Sequence, residues 1–363
     1  MNKLEGIGWF AHETLSRIVK AHPEHEFVFI FDRPWDPFFI YENNIIPVST
    51  RIPSRHPLLW YWHYEQDIPG ILKKFNPALF FSPDGWMSLK TNVPTIDTIH
   101  DINFFHRPDD LPFLVRKYYN YYFPRFASKA ARLITVSEFS KTDLVKSFGL
   151  DASRIDVAYN GCNQRFRNTA PEVKKSVRNK FAGGLPYFIY VGSQNPRKNI
   201  PGLLDAFEHF RKNHPEQYKL VLAGEPMWNN SPVEKKLAGM VFKDDVVFTG
   251  RISSEVLQLL LSSSVALVLP SFFEGFGIPV VEAMYCEVPV ICSKVTSLPE
   301  VAGDAAFYID PIDTSSIENA LFEVASNKEL HDQLVQKGIV QREKFNWNNT
   351  AASVWKSIEK ALG

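Results

Sequence analysis

Glu274 and Glu282 flank the run Gly275-Phe276-Gly277-Ile278-Pro279. A nearly continuous apolar segment ends at Pro270, so Glu274 falls in the loop beyond a buried strand. Pro279 suits the first turn of the helix that follows. Gly275 and Gly277 let the backbone approach a ligand closely, next to helix N-terminal amides that lack intrahelical partners. Glu282 lies about one turn into that helix. Two carboxylates so placed can hold hydroxyls at two points along one polyol ligand. The same residues also suit a Gly-rich turn followed by an exposed helical glutamate.

A second group, Gly192-Ser193-Gln194-Asn195-Pro196-Arg197-Lys198-Asn199, also follows an apolar run. Asn199 is a candidate N-cap with Pro201 in the first helical turn. Arg197 and Lys198 beside that N-terminus would suit a diphosphate, and equally a solvated basic loop. Gly6-Ile7-Gly8, before the helix-like stretch Trp9–Lys20, could cradle a phosphate, although a Gly-x-Gly is weak by itself. His100-Asp101 follows the strand-like Thr95–Ile99, where an imidazole could donate to a substrate or serve a structural hydrogen bond. Thr249-Gly250-Arg251 could border a nucleobase or form a simple turn.

These loops need strands to position them. Short β-rich runs alternate with amphipathic, helix-length stretches, the pattern of parallel α/β sheets. Strands are expected near Glu26–Phe31, Ala78–Ser82, Thr95–His100, Arg132–Ser137 and Ile155–Asn160, then Tyr187–Gly192, Lys219–Gly224, Val246–Gly250, Val265–Pro270, Pro289–Ser293 and Ala305–Asp310. With 363 residues, two domains are expected. Residues 1–165 form the first and 186–344 the second, joined by a polar linker at 166–185, with Gly183-Gly184-Leu185-Pro186 restarting the alternating pattern. The fold class is α/β, with two doubly wound sheets facing a central cleft and ligands beyond the strand carboxyl ends. A strand normally precedes the first Gly-rich turn of such a domain. Only five residues precede Gly6, so the first strand of the N-terminal domain is expected to be missing.

Composition excludes several classes. Forty basic and forty acidic residues leave no net charge, which argues against a nucleic-acid binder. Cys162, Cys286 and Cys292 lack metal-ligand spacing and suit a reducing compartment. No signal-peptide pattern and no membrane-length apolar run is visible, so a cytoplasmic location is expected.

Taken together, these residues resemble the GT-B glycosyltransferases of family four, the group-one enzymes with an E-x7-E motif. Glu274 and Glu282 match that motif, with Gly-Phe-Gly-Ile-Pro between them. Pro196-Arg197-Lys198-Asn199, Val136-Ser137-Glu138-Phe139-Ser140, Tyr159-Asn160-Gly161 and Leu298-Pro299-Glu300-Val301 also resemble family segments. Residues 345–363 are similar to the family's terminal helix that crosses back to the first domain.

The resemblance implies a role for each residue. Glu274, with Gly275, Phe276 and Gly277, holds the donor hexose, and Glu282 takes the ribose hydroxyls. Arg197 and Lys198 neutralise the departing diphosphate, which Gly8 approaches, and Ser193 is a further donor-binding residue. His100 contacts the donor sugar near the reacting carbon, and Gly250 and Arg251 border the base. No Asp-x-Asp triplet occurs, so cations rather than a metal are expected to neutralise the charge, and no cofactor is implied. The family implies retention of configuration by front-face attack. GDP-mannose is favoured over UDP-glucose by similarity to mannosyl-transferring relatives, with a glycan or lipid-linked acceptor.

Other readings are a sugar-nucleotide epimerase of the same architecture, a phosphorylase, a dehydrogenase, or a non-catalytic sugar-binding protein. A phosphorylase needs a much longer chain, and a dehydrogenase needs a full Gly-x-Gly-x-x-Gly after a strand. Aromatic residues cluster in Trp60-Tyr61-Trp62 and Phe104-Phe105, and they interleave with basic ones in Arg116–Phe126. Such a stretch could rest on the inner face of the cytoplasmic membrane or belong to the core.

Overall fold

The computed structural model describes residues 4–52, 54, 56–225 and 231–363. The chain forms two compact units, Met1–Gly161 with Asn346–Gly363, and Cys162–Phe345.

In the first unit β1 (Phe27–Phe31) pairs in parallel with β2 (Ile45–Ser49). A separate parallel sheet runs β3 (Phe80–Ser82), β4 (Thr95–Thr98), β5 (Arg132–Thr135) and β6 (Ile155–Val157) in spatial order. Among the described residues no ladder joins β1 to β3. β2 was not expected from the sequence, because Pro47 interrupts its apolar run. Proline has no N–H for a ladder, so it is tolerated on a strand that pairs on one side, as β2 does. The first helix, Gly6–Ala21, already begins at Gly6, so Gly6-Ile7-Gly8 is its opening turn and not a loop before it.

The terminal helix Trp347–Leu362 belongs to this unit. Asn346 caps it by accepting from Asn349 N at 2.9 Å. Its inward stripe buries Trp347, Val354 and Ile358, and it packs on the helix Gly6–Ala21. Asp156 on β6 accepts hydrogen bonds from Ser357 (2.8 Å), Lys360 (2.6 Å) and Arg132 (2.9 Å). Gly161, the last residue of Tyr159-Asn160-Gly161, lies where this helix begins. A Cβ there would stand 2.3 Å from Trp347 N and 2.7 Å from its Cγ. Gly161→Ala is therefore expected to cost about 1–3 kcal/mol of stability, the usual range for forced overpacking. Thermal melting checks this, and an unchanged midpoint would show that the helix start can move aside.

The second unit holds one six-stranded parallel sheet. It comprises β7 (Tyr187–Val191), β8 (Lys219–Ala223), β9 (Val246–Gly250), β10 (Ala266–Leu269), β11 (Val290–Ser293) and β12 (Ala306–Ile309). The spatial order is β12-β11-β10-β7-β8-β9. The chain steps outward from β7 to β9, then returns to the other side of β7 to lay down β10. Strand order reverses between β7 and β10, and a doubly wound sheet opens its ligand crevice at such a point. β7, β10 and β11 are buried throughout, which explains their unalternating apolar sequence.

Residues 166–185, read above as a linker, contain the helix Pro171–Ala182 and lie within the second unit. Gln258 donates to Arg167 O at 2.6 Å and Arg178 to Ser263 O at 2.9 Å, which ties the segment to the helix Ser254–Ser263. The helix buries Val177 and Ala182 on a narrow inward stripe. Its other positions are mostly polar, hence its loop-like sequence.

Candidate active site

The loops after β7 and β10 meet at the reversal point of the second unit. After β7, Pro196–Lys198 forms a single tight turn and Asn199 adopts φ 56°. Asn199 precedes the helix Ile200–Asn213, but its side chain does not cap it. Its Nδ2 donates instead to Pro311 O at 2.7 Å, anchoring the loop to the segment after β12. After β10, Ser271–Gly277 leads into the helix Ile278–Tyr285, with Pro279 in its first turn. Gly277 takes φ 99°, and a Cβ there would meet Leu298 Cδ2 at 2.7 Å. That position needs glycine for both conformation and space.

Glu274 is the centre of this arrangement and is buried. One carboxylate oxygen accepts from Lys198 Nζ and from Ser271 Oγ, the latter at 2.6 Å. The other accepts from Arg197 at 2.8 Å, and Arg197 also donates to Phe273 O at 2.6 Å. Backbone contacts lock the two loops together, with Phe272 N donating to Arg197 O at 2.8 Å. Burial alone would raise the Glu274 pKa. The charges of Lys198 and Arg197, with hydrogen bonds from Lys198 and Ser271, outweigh it and hold the group at about 2. Glu274 is thus a fixed carboxylate that can accept hydrogen bonds but has no proton to give. Two cations thus surround one carboxylate beyond the carboxyl ends of β7 and β10.

Glu282 lies in the second turn of the helix Ile278–Tyr285, half-buried. Burial pushes its carboxyl up to about 8. The two glutamates of one motif therefore sit in opposite environments. Glu274 is ionised by its neighbours, whereas Glu282 is mostly protonated at neutral pH.

Neighbouring strand ends close the rim. Gly192, Gly224 and Gly250 come together there. Gly224 N donates to Gly250 O at 3.1 Å, and a Cβ on Gly224 would reach Gly192 O at 2.0 Å. Ser193 O accepts from the buried Tyr190 hydroxyl at 2.9 Å, which fixes the start of the cationic loop. Arg251 follows Gly250 and is exposed. The Phe276 side chain is buried against Phe345, so its contribution at the loop surface is confined to backbone.

Gly8 and His100 belong to the first unit. Gly8 lies in the opening turn of its helix, two residues before Phe10, whose ring packs edge-on to His100 at 4.9 Å. His100 Nε2 is 2.9 Å from Pro83 O. A carbonyl only accepts, so Nε2 carries the hydrogen, and burial lowers the ring's pKa and keeps it neutral. Nδ1 is then the nitrogen left for a ligand, and it accepts. The donating role expected from sequence is already occupied by Pro83.

Sequence reasoning missed Ser271, Thr296 and Ser297 as site builders. Thr296, at φ 52°, accepts from Glu274 N at 3.1 Å. Ser297 donates to Glu274 O at 2.9 Å and Phe276 O at 3.2 Å. The available signal was the place of Thr296 and Ser297 immediately before Leu298-Pro299-Glu300-Val301, whose Leu298 packs on Gly277.

Comparison with known proteins bears on both halves. Residues 173–341 match the family described as Glycosyl transferases group 1, and residues 5–166 match Glycosyltransferase Family 4. The chain is 29% identical over 279 residues to O-antigen chain mannosyltransferase B of Escherichia coli, covering 77% of this chain and 73% of that protein. It is equally similar, 29% over 279 residues, to O-antigen chain mannosyltransferase RfbU of Salmonella typhimurium, covering 77% and 74%. A sucrose-phosphate synthase from Thermosynechococcus elongatus superposes with a TM-score of 0.78 at 18% identity, covering 99% of this chain and 94% of that one.

Proposed function

The chain belongs to the group-one, family-four glycosyltransferases of GT-B fold, and on that premise we propose that it transfers a hexose, mannose in preference to glucose, from a nucleoside diphosphate sugar to a glycan or lipid-linked acceptor in cell-surface polysaccharide synthesis, with retention of configuration. The observation that carries this reading is the Lys198–Glu274–Arg197 network at the reversal point of the second sheet. The two named mannosyltransferases support the choice of mannose and of a surface polysaccharide.

In the proposed reaction the bond from the anomeric carbon to the diphosphate oxygen breaks, and its electron pair leaves with the diphosphate. Lys198 and Arg197 stabilise that growing charge, so their contribution rises toward the transition state. Glu274 holds both cations in place and accepts from hexose hydroxyls. The acceptor hydroxyl attacks the face the diphosphate is leaving, and its proton passes to the departing phosphate oxygen. His100 accepts a sugar hydroxyl through Nδ1. Gly8 and Ser193 approach the diphosphate, Gly250 and Arg251 border the base, and Gly275, Phe276 and Gly277 line the hexose side. The reaction is placed in the cytoplasm, at the inner face of the membrane.

The test is to incubate purified protein with GDP-mannose or UDP-glucose and follow nucleotide release and sugar transfer, with and without EDTA. Activity with GDP-mannose is expected to persist in EDTA. Loss restored by manganese or magnesium would mean that a metal, and not Lys198 with Arg197, neutralises the diphosphate. Release from neither donor would sink the transferase reading for this chain.

Glu282 adds a pH signature. Ribose hydroxyls would donate to its carboxylate, but the ligand-free group titrates at about 8. Nucleotide binding at pH 7 should therefore release close to one proton, and affinity should rise with pH up to about 8, then level off. Calorimetry in buffers of different ionisation enthalpy measures the released proton. Glu282→Gln should abolish that release, and an unaltered proton count in this variant would place the titrating group elsewhere.

A further inference from the structure

The aromatic and basic segment of the first unit divides between two faces. Phe123 and Phe126 of the helix Phe113–Lys129 are buried in the core, with Tyr119 and Tyr122 packed against them. Trp60 also turns inward, to Tyr118 (5.0 Å between rings) and Trp86 (4.8 Å), and its Nε1 donates to Ser54 O. The outward side is different in kind. At about 100° per residue, Phe113, Lys117, Tyr121, Leu114 and Arg125 fall within roughly 120° of arc on that helix. Phe113, Leu114 and Tyr121 are 56%, 54% and 52% exposed, far more than large apolar side chains on an interior stripe. On the adjoining helix Pro57–Trp62, Trp62 is also 53% exposed.

Charge on this helix is one-sided. Its seventeen residues include Arg116, Lys117, Arg125 and Lys129 and not one carboxylate, in a chain whose overall charge is zero. The cations also sit on the aromatic rings. Lys117 Nζ lies 4.6 Å from the centre of the Phe113 ring, and the Arg125 guanidinium 3.6 Å from that of Tyr121. Arg116 is partly neutralised by Asp109 at 2.8 Å, which leaves Lys117 and Arg125 as the main charges of the stripe. A surplus of positive charge interleaved with exposed aromatic and aliphatic side chains matches the interfacial layer of an anionic bilayer. Rings and Leu114 would enter the headgroup–acyl boundary while the cations meet lipid phosphates. No helix among the described residues is long and apolar enough to cross a membrane.

We propose that this face of the helix Phe113–Lys129 docks the first unit on an anionic lipid bilayer surface. The purpose assigned to it rests on the proposed transfer to a lipid-linked acceptor, whereas the surface chemistry stands on the residues themselves. The experiment is co-sedimentation with phosphatidylglycerol–phosphatidylcholine vesicles and with phosphatidylcholine vesicles, alongside GDP binding by calorimetry in solution. Wild-type protein is expected to sediment with the anionic vesicles, and added salt should weaken binding. Lys117→Ala with Arg125→Ala should lower partitioning about 30-fold, at roughly a factor of five for each surface cation. Phe113→Ser with Leu114→Ser should remove the salt-resistant part. These side chains are exposed, so both double variants should keep the wild-type melting point and GDP affinity.

Protein that binds GDP but ignores anionic vesicles would overturn the proposal, as would double variants that partition like wild type. A dimer that Phe113→Ser with Leu114→Ser dissociates, without vesicle binding, would overturn it in favour of a second copy. Vesicle binding without GDP binding would uphold the surface and sink the donor reading instead.

Discussion

Glu274→Ala is expected to abolish sugar transfer and to lower the unfolding free energy by about 3–5 kcal/mol at neutral pH. From sequence alone Glu274 reads as a loop residue whose loss leaves the fold intact. The structure changes that expectation, because the side chain is buried between Lys198 and Arg197 and its removal takes the carboxylate from both ion pairs. Linkage gives a similar size. A carboxyl moved from 4.5 to about 2 contributes on the order of 3 kcal/mol. The sign follows from a folded pKa below the unfolded one. The contribution is present in full above about pH 4.5 and is lost as pH falls toward 2. Urea titrations across that window should therefore show a steeper decline for wild type than for Glu274→Gln. Glu274→Gln can still accept from Ser271 and should be better folded than the alanine variant while remaining strongly impaired in transfer. A stable Glu274→Ala protein with near-normal turnover would remove the central site assignment.

Lys198→Ala is expected to lower turnover by about two orders of magnitude, the effect of removing one preorganised donor at a developing charge. Lys198 is buried beside Glu274, so the variant also leaves a carboxylate short of a partner and should melt lower. Arg197→Ala is the cleaner measurement. Its side chain is less deeply buried, and Lys198 with Ser271 still satisfies one oxygen of Glu274. Turnover should fall by a similar factor with a smaller change in the Michaelis constant, because leaving-group charge grows only as the reaction proceeds. A raised Michaelis constant with unchanged turnover would mean that these cations bind the ground state only.

The amino-acid sequence determined the chemistry available to this protein. Buried parallel strands need unbroken apolar runs, so β7, β8, β10 and β11 are legible, and so are the loops after β7 and β10 that carry Arg197, Lys198 and Glu274, with Glu282 on the helix that follows. Elements whose signals conflict were hidden, β2 by Pro47 and the helix Pro171–Ala182 by its mostly polar surface. Tertiary structure alone decided how the site residues act on one another. Lys198 and Glu274 are 76 positions apart, and only the reversal of strand order between β7 and β10 makes them an ion pair. Local sequence carries no trace of that pairing, because an ion pair depends on distance in space. The same holds for His100, whose donor nitrogen is occupied by Pro83 O. It holds too for the opposite titration of Glu274 and Glu282, since burial and neighbouring charge are properties of the folded chain.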